Sequence, residues 1–317
     1  MSLSPHPVRP DVQAFLDMLA ATSRPPYYEL PLDEARAGSK AMVAMVEAPP
    51  RDLPVIRDLA CPGPAGDIPL RLFDASPSAI ARPVIVFFHG GGFVLGCLDS
   101  YHNLCTDIAA QTGLPVVSVD YRLAPENPFP AAPEDCEAAA RWIAQNPDTL
   151  GLHSTGLVFM GDSAGGNLTL VVSQALADSP GKLPVLLQVP LYPVASPVGG
   201  HDSYKKFSEG YMLESDVMGW FTRAYQADET DWKNYPILHP SPHKAPPAVL
   251  VTASLDPLRD SGREYASHLI HAGVEVTYLE RKGTIQGFAN MRKIISSGQE
   301  DMNAVYAAMK MMLERPL

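Results

Sequence analysis

Gly161-Asp162-Ser163-Ala164-Gly165 is the first stretch of this sequence that offers covalent chemistry. It follows a short apolar run, "GLVFM" (156–160), and leads into a helix-like segment over 164–177. A serine between glycines at a strand-to-helix junction is thrust above the edge of a sheet, because only glycines fit beside it in so tight a turn. A helix that starts at once aims its first amides at any negative charge growing nearby. Ser163 is therefore the candidate nucleophile, weighed against a glycine turn with an idle hydroxyl.

"VIVFFHGGGFVLG" supplies a second chemical feature, an apolar strand running into His89-Gly90-Gly91-Gly92. Three glycines let the backbone fold so that successive N–H groups converge on one point. Joined by the Ala164 amide, they can hold the oxyanion of a tetrahedral intermediate. A phosphate loop or a dinucleotide fingerprint does not fit, since no Lys-Ser/Thr follows and the G-x-G-x-x-G spacing is absent. His89 lies at the strand end before the loop and is expected to brace it rather than act as a base. "PPAVLVTASLDPLRD" offers an acid: Asp256 directly after a strand, in preference to Asp260, which suits the start of the next helix. Such a set needs a proton carrier, and the late loop expected to hold it, "GTIQGF" (283–288), carries Gln286.

These groups need a sheet to hold them. Apolar runs at 83–89, 115–121, 156–160, 184–190, 248–255 and 274–280 alternate with helical stretches near 100–111, 133–145, 164–177, 261–272 and 300–313. That alternation implies an α/β fold with a mostly parallel sheet covered by helices on both faces. Residues 1–50 read as two amphipathic helices, with Val12, Phe15, Leu16 and Leu19 on one face of the first and Met42 and Val46 marking the second. Residues 51–317 form the expected core, interrupted at 192–233 by an aromatic-rich insertion. Its helical segment and the N-terminal helices are expected to cap the sheet's carboxyl edge.

Composition sets the outer limits. A chain of 317 residues, 46% hydrophobic, can bury a sizeable core, and its 32 prolines suggest many rigid loops. A net charge of −11 argues against nucleic acid or an anionic membrane surface as a partner. Cys61, Cys97, Cys105 and Cys136 show no zinc spacing, so neither metal nor cofactor is expected, and idle thiols are favoured over a Cys97–Cys105 disulfide. No apolar run reaches membrane-span length and no leader is evident after "MSLSPHPVRP", so a cytoplasmic protein is expected.

Taken together, "HGGGF", "DYRLAPENPFPAAPEDC", "GDSAGGN", "LYP", "SEGYML", "DPLRD" and "GTIQGF" resemble, in order and spacing, the hormone-sensitive lipase family of α/β-hydrolases. These include the bacterial carboxylesterases with a GDSAG nucleophile motif. The resemblance covers nearly the whole chain. It implies Ser163 as nucleophile, Asp256 as triad acid, and Gly91, Gly92 and Ala164 as oxyanion donors. It also implies a two-part cap, uncharged ester substrates of short to medium acyl length, and a dimer through the edge strand around 274–280. Tyr211 and Met212 fall in the segment resembling the pocket wall. The family writes the late loop G-x-x-H-G-F, so Gln286 stands where the histidine belongs. Glutamine cannot take and return the serine proton at neutral pH. Two readings remain: an esterase inactivated by one substitution in an otherwise intact site, or a ligand-binding pseudo-enzyme, as in the plant gibberellin receptors similar to this family.

Overall fold

The computed structural model describes residues 7–22, 25–78, 80–145 and 148–314. The opening residues of the leader reading, 1–6, lie outside them. Helix α1 (Pro10–Ala20) begins on a proline, tolerated there because first-turn N–H groups have no helical partner. It buries Val12 and Phe15, with Leu16 and Leu19 partly covered on the same side. Helix α2 (Leu32–Val46) carries Asp33 and Glu34 in its first turn, where acidic groups favour the helix dipole, and buries Ala35 and Val46.

Strands β1 (Val55–Gly63) and β2 (Gly66–Asp74) form an antiparallel hairpin. The sequence reading missed it, because it sought runs apolar on both faces. Over its first half β2 is covered on one side, with Ile68, Leu70 and Leu72 buried and Asp67 and Pro69 exposed, and only at its end does Phe73 bury the opposite face against the helix His102–Thr112. After it come β3 (Arg82–Phe88), α3 (His102–Thr112), β4 (Val116–Val119), α4 (Ala131–Ala144), β5 (Ser154–Asp162) and α5 (Ala164–Asp178). The second half holds β6 (Val185–Leu191), α6 (Asp202–Phe207), α7 (Ser215–Tyr225), β7 (Ala248–Leu255), α8 (Arg259–His271), β8 (Val276–Ile285) and α9 (Ser297–Leu313). All six strands and five core helices expected from the pattern are present. Within 192–233, α7 was expected and the short α6 was not.

The strand order is β1-β2-β4-β3-β5-β6-β7-β8, parallel from β4 onward and antiparallel where β2 joins β4. Parallel neighbours need crossovers, and these lay helices on both faces. The period-2 alternation of β3 shows the result. Val84, Val86 and Phe88 face the α4–α5 layer, and Ile85 and Phe87 face α3 and α9. β3, β5, β6, β7 and β8 then end on one edge, where each strand delivers its next residue.

The junction of β5 and α5 lies hard against the end of β3. A Cβ on Gly165 would sit 1.9 Å from the Phe88 carbonyl oxygen, and one on Gly161 2.4 Å from that same oxygen. Both obstructions are main chain and cannot swing aside. Gly165→Ala should therefore cost about 3 kcal/mol or more, seen as a melting temperature lower by at least about 6 °C. A melting curve superimposable on that of the parent would rule out so close an approach.

Candidate active site

Ser163 sits at the turn between β5 and α5 with φ 55° and ψ −115°. A non-glycine residue there costs on the order of 1–3 kcal/mol and persists only where surroundings fix it. The fixing bonds are present. The Ser163 N–H donates to the Leu191 carbonyl at 2.9 Å, and its own carbonyl accepts the Asn167 N–H at 3.0 Å. The Asn167 side chain in turn donates to the carbonyls of Val194 and Asn234, both at 2.8 Å, tying the insertion to the turn. The Ser163 hydroxyl makes no capping bond to α5, whose N-terminal amides include that of Ala164.

Gly91 and Gly92 adopt φ of 115° and 60°, and the Gly91 carbonyl accepts the N–H groups of Val94 and Leu95 at 3.1 and 2.8 Å. This tight turn needs glycine on spatial grounds as well, since a Cβ on Gly92 would fall 2.3 Å from the Phe221 ring of α7. His89 is fully buried, its Nδ1 lies 2.8 Å from the Gly90 carbonyl oxygen, and its ring stacks on Tyr121 at 4.2 Å. Burial holds its imidazole pKa down, and the contact with the Gly90 carbonyl ties the ring to the start of the loop.

Asp162 joins these two elements. Its carboxyl is buried and accepts the Gly90 N–H at 2.8 Å, the Tyr101 hydroxyl at 3.1 Å and the Tyr192 hydroxyl at 3.5 Å. Burial raises its pKa to about 7 against the pull of those donors. Sequence reasoning passed over Asp162. An acid closing an otherwise apolar strand was the available signal.

Asp256 and Gln286 follow directly on residues paired across β7 and β8, Leu255 with Ile285. Neighbouring strands run about 4.8 Å apart, so the two positions emerge side by side at the carboxyl edge. Residues 283–285 are not the loop that the sequence suggested. They continue β8, because Gly283 takes φ 74° and donates its N–H to the Ser254 hydroxyl at 2.8 Å, absorbing a bulge against β7. The turn begins only at Gln286, with Gly287 at φ 81°.

Asp256 is fully buried. One carboxyl oxygen accepts the Leu258 N–H at 2.8 Å, whereas Oδ2 has no partner among the described residues. Desolvation raises its pKa to about 8, with the Leu258 N–H and Arg259 opposing the rise. Gln286 is also buried. Its Nε2 makes only a long contact of 3.5 Å to the Tyr192 carbonyl, and its Oε1 is unpartnered among the described residues. Asp260, by contrast, lies in the first turn of α8, accepts the Ser203 N–H at 2.9 Å and pairs with Arg259 and Arg263.

The two candidate wall residues separate. Tyr211 packs edge-on against Phe207 at 5.1 Å, in the apolar cluster that also holds α1. Met212 reaches the turn after Gln286, where a Cβ on Gly287 would lie 3.4 Å from its Cε. Of the other histidines, His239 Nε2 lies 3.0 Å from Asp178, and His271 bonds back to Ser267 on α8. All four cysteines are free thiols, and no cluster of potential metal ligands occurs among the described residues.

An α/β-hydrolase fold family profile matches residues 85–290. The chain is 33% identical to an ethyl acetate hydrolase of Pseudomonas putida over 96% of its own length and 98% of that protein's. It is 34% identical to carboxylesterase NlhH of Mycobacterium tuberculosis with the same coverage of both chains. The crystal structure of a hyperthermophilic esterase from Pyrobaculum calidifontis superposes with a TM-score of 0.89 at 34% identity, covering 96% of this chain and 99% of that one. A strained serine on a strand-to-helix turn, a glycine loop at the neighbouring strand end, and relatives aligned along nearly their full length agree. This chain belongs to the α/β-hydrolase fold family, among the carboxylesterases similar to hormone-sensitive lipase.

Proposed function

We propose that this chain carries the site of a serine carboxylesterase arrested at proton transfer. Ser163 is the nucleophile, Asp256 the triad acid, and the amides of Gly91, Gly92 and Ala164 the oxyanion donors. Position 286 is that of the missing proton carrier. The observation that carries this reading is the pair of unpartnered buried oxygens, Asp256 Oδ2 and Gln286 Oε1, on residues that leave adjacent strands together. A histidine at 286 would bring a ring N–H for the carboxylate and a second nitrogen for the serine proton. With glutamine, the serine proton has no acceptor on attack and the leaving alcohol has no donor.

The substrates are uncharged esters of short to medium acyl length, a range that includes the ethyl acetate named for one relative. Phe221 over the glycine loop and Met212 beside the turn at 287 give the pocket an apolar wall. The N-terminal helices and the insertion at 192–233 act as its cap. β8 ends the sheet, which supports a dimer through that edge with a mass of twice the 34.2 kDa chain in analytical ultracentrifugation. No helix among the described residues is long and apolar enough to cross a membrane, and the free thiols suit a reducing, cytoplasmic setting.

Gln286→His should raise kcat for p-nitrophenyl butyrate by about 10⁴-fold or more, the scale lost when a triad base is removed. Adding Ser163→Ala to that variant should return the rate to background. A revertant no faster than the parent would sink the esterase reading and leave a ligand-binding pseudo-enzyme in its place.

Asp256 also sets a dependence of stability on pH. Its folded pKa lies above the ordinary carboxyl value, so the folded state favours the protonated form. That contribution is complete below about pH 4 and declines as pH rises toward about 8. Asp162 adds in the same direction up to about pH 7. Asp256→Asn should consequently melt several degrees above the parent at pH 8.5 and close to it at pH 4. Equal differences at both values would show that Asp256 keeps its charge in the folded protein.

A further inference from the structure

The two halves of the site hang on different parts of the chain, the glycine loop after β3 and the turn after β8. One helix touches both. Arg36, in the first half of α2, donates from Nε to the Val94 carbonyl at 3.0 Å and from Nη2 to the Ala124 carbonyl at 3.1 Å. Val94 belongs to the turn closed on the Gly91 carbonyl, and the Ala124 N–H donates to the Phe93 carbonyl at 2.9 Å. Glu126 holds the guanidinium in place with bonds of 2.6 and 2.8 Å. Arg36 therefore grips the far side of the glycine loop.

Glu47, immediately after α2, grips the other half. Its carboxylate accepts the Arg292 main-chain N–H at 2.9 Å and Nε at 2.8 Å, with Nη2 also paired to it, six residues beyond Gln286. The last residue of the same helix, Val46, accepts the N–H groups of Lys293 and Ile294 at 3.0 and 3.1 Å. Arg292 and Glu47 are both buried, and Arg292 Nη1 continues to Asp107. Arg36 and Glu47 are eleven residues apart, about three turns and about 16 Å, so a single helix face presents both.

We propose that α2 is a tie-bar setting the separation between the glycine loop and the turn bearing residue 286, with Arg36 and Glu47 as positioning residues. Neither touches substrate. Each acts through the main chain it holds, and the rigid helix between them transmits a displacement at one end to the other. The inference rests on the esterase reading for its catalytic consequence and on geometry alone for the coupling.

The test has two arms. In the Gln286→His background, Arg36→Ala should lower kcat for p-nitrophenyl butyrate by about 10–100-fold with KM within about twofold, as expected for a misplaced catalytic group. Arg36 lines an open groove beside Lys40 and Cys97, so millimolar guanidinium should reach the vacated site and restore much of the rate. In the chain as it stands, amide hydrogen exchange reads the coupling directly. Arg36→Ala should speed exchange across 287–295, and Glu47→Gln, which keeps the buried site filled, should speed it across 91–95. If each substitution loosens only its own end, or kcat stays unchanged, the tie-bar is refuted. Should Gln286→His itself prove inactive, the esterase reading fails while the exchange result still decides this one.

Discussion

The buried carboxyl of Asp162 is the interaction on which the rest of this site depends. It occupies the variable position before the serine in the nucleophile turn, yet its bonds go outward: to the Gly90 N–H, to Tyr101 at the start of α3 and to Tyr192 after β6. The ends of β3 and β6 and the start of α3 are thereby registered to one group in a dry setting, where hydrogen bonds are strong and an unmet partner is costly. The strained Ser163 follows directly, and the glycine loop cannot drift from it while Gly90 remains bonded to its neighbour. Close main-chain contact at Gly161 and Gly165 makes the same joint sterically rigid. Electrostatics and excluded volume act on one junction.

Against that satisfied half, the other half is conspicuously unfinished. Asp256 is fully buried with one carboxyl oxygen bonded and one free among the described residues, and Gln286 beside it leaves its own amide oxygen unmet. Native interiors rarely tolerate two such groups together, and where they do, the pair usually reflects chemistry rather than packing. The raised pKa of Asp256 has its cause in the same burial: desolvation outweighs the Leu258 N–H and the Arg259 charge that favour the carboxylate. The β7–β8 pairing that brings the two residues together runs through Leu255 and Ile285 and depends on neither of them.

Reading outward from the motifs recovered most of the frame. Parallel strands buried on both faces announce themselves as continuous apolar runs, which is why the places of Ser163, Asp256 and Gln286 at strand ends were legible. The β1–β2 hairpin was not, because exposed and buried residues mix along both of its strands. The start of "GTIQGF" reads as a loop in sequence, since glycine weakens a strand interior. Here Gly283 instead lets β8 bulge and continue, held by a serine twenty-nine residues away. The approach of the Phe221 ring to Gly92 likewise has no local signal, because the two lie on separate parts of the chain.

By itself, the sequence determined which reactive residue types are on offer: a serine on a glycine turn, a run of glycines after a strand, an acid at a strand end, and a glutamine at 286. Those are local facts, written in residue type and short spacing. Tertiary structure alone decided which distant groups hold these parts in register. Glu47 meets Arg292 across 245 positions, Arg36 meets Val94 across 58, and Asp162 meets Gly90 across 72. No periodicity or motif records such pairs, because each is specified by the path of the whole chain rather than by its own neighbours.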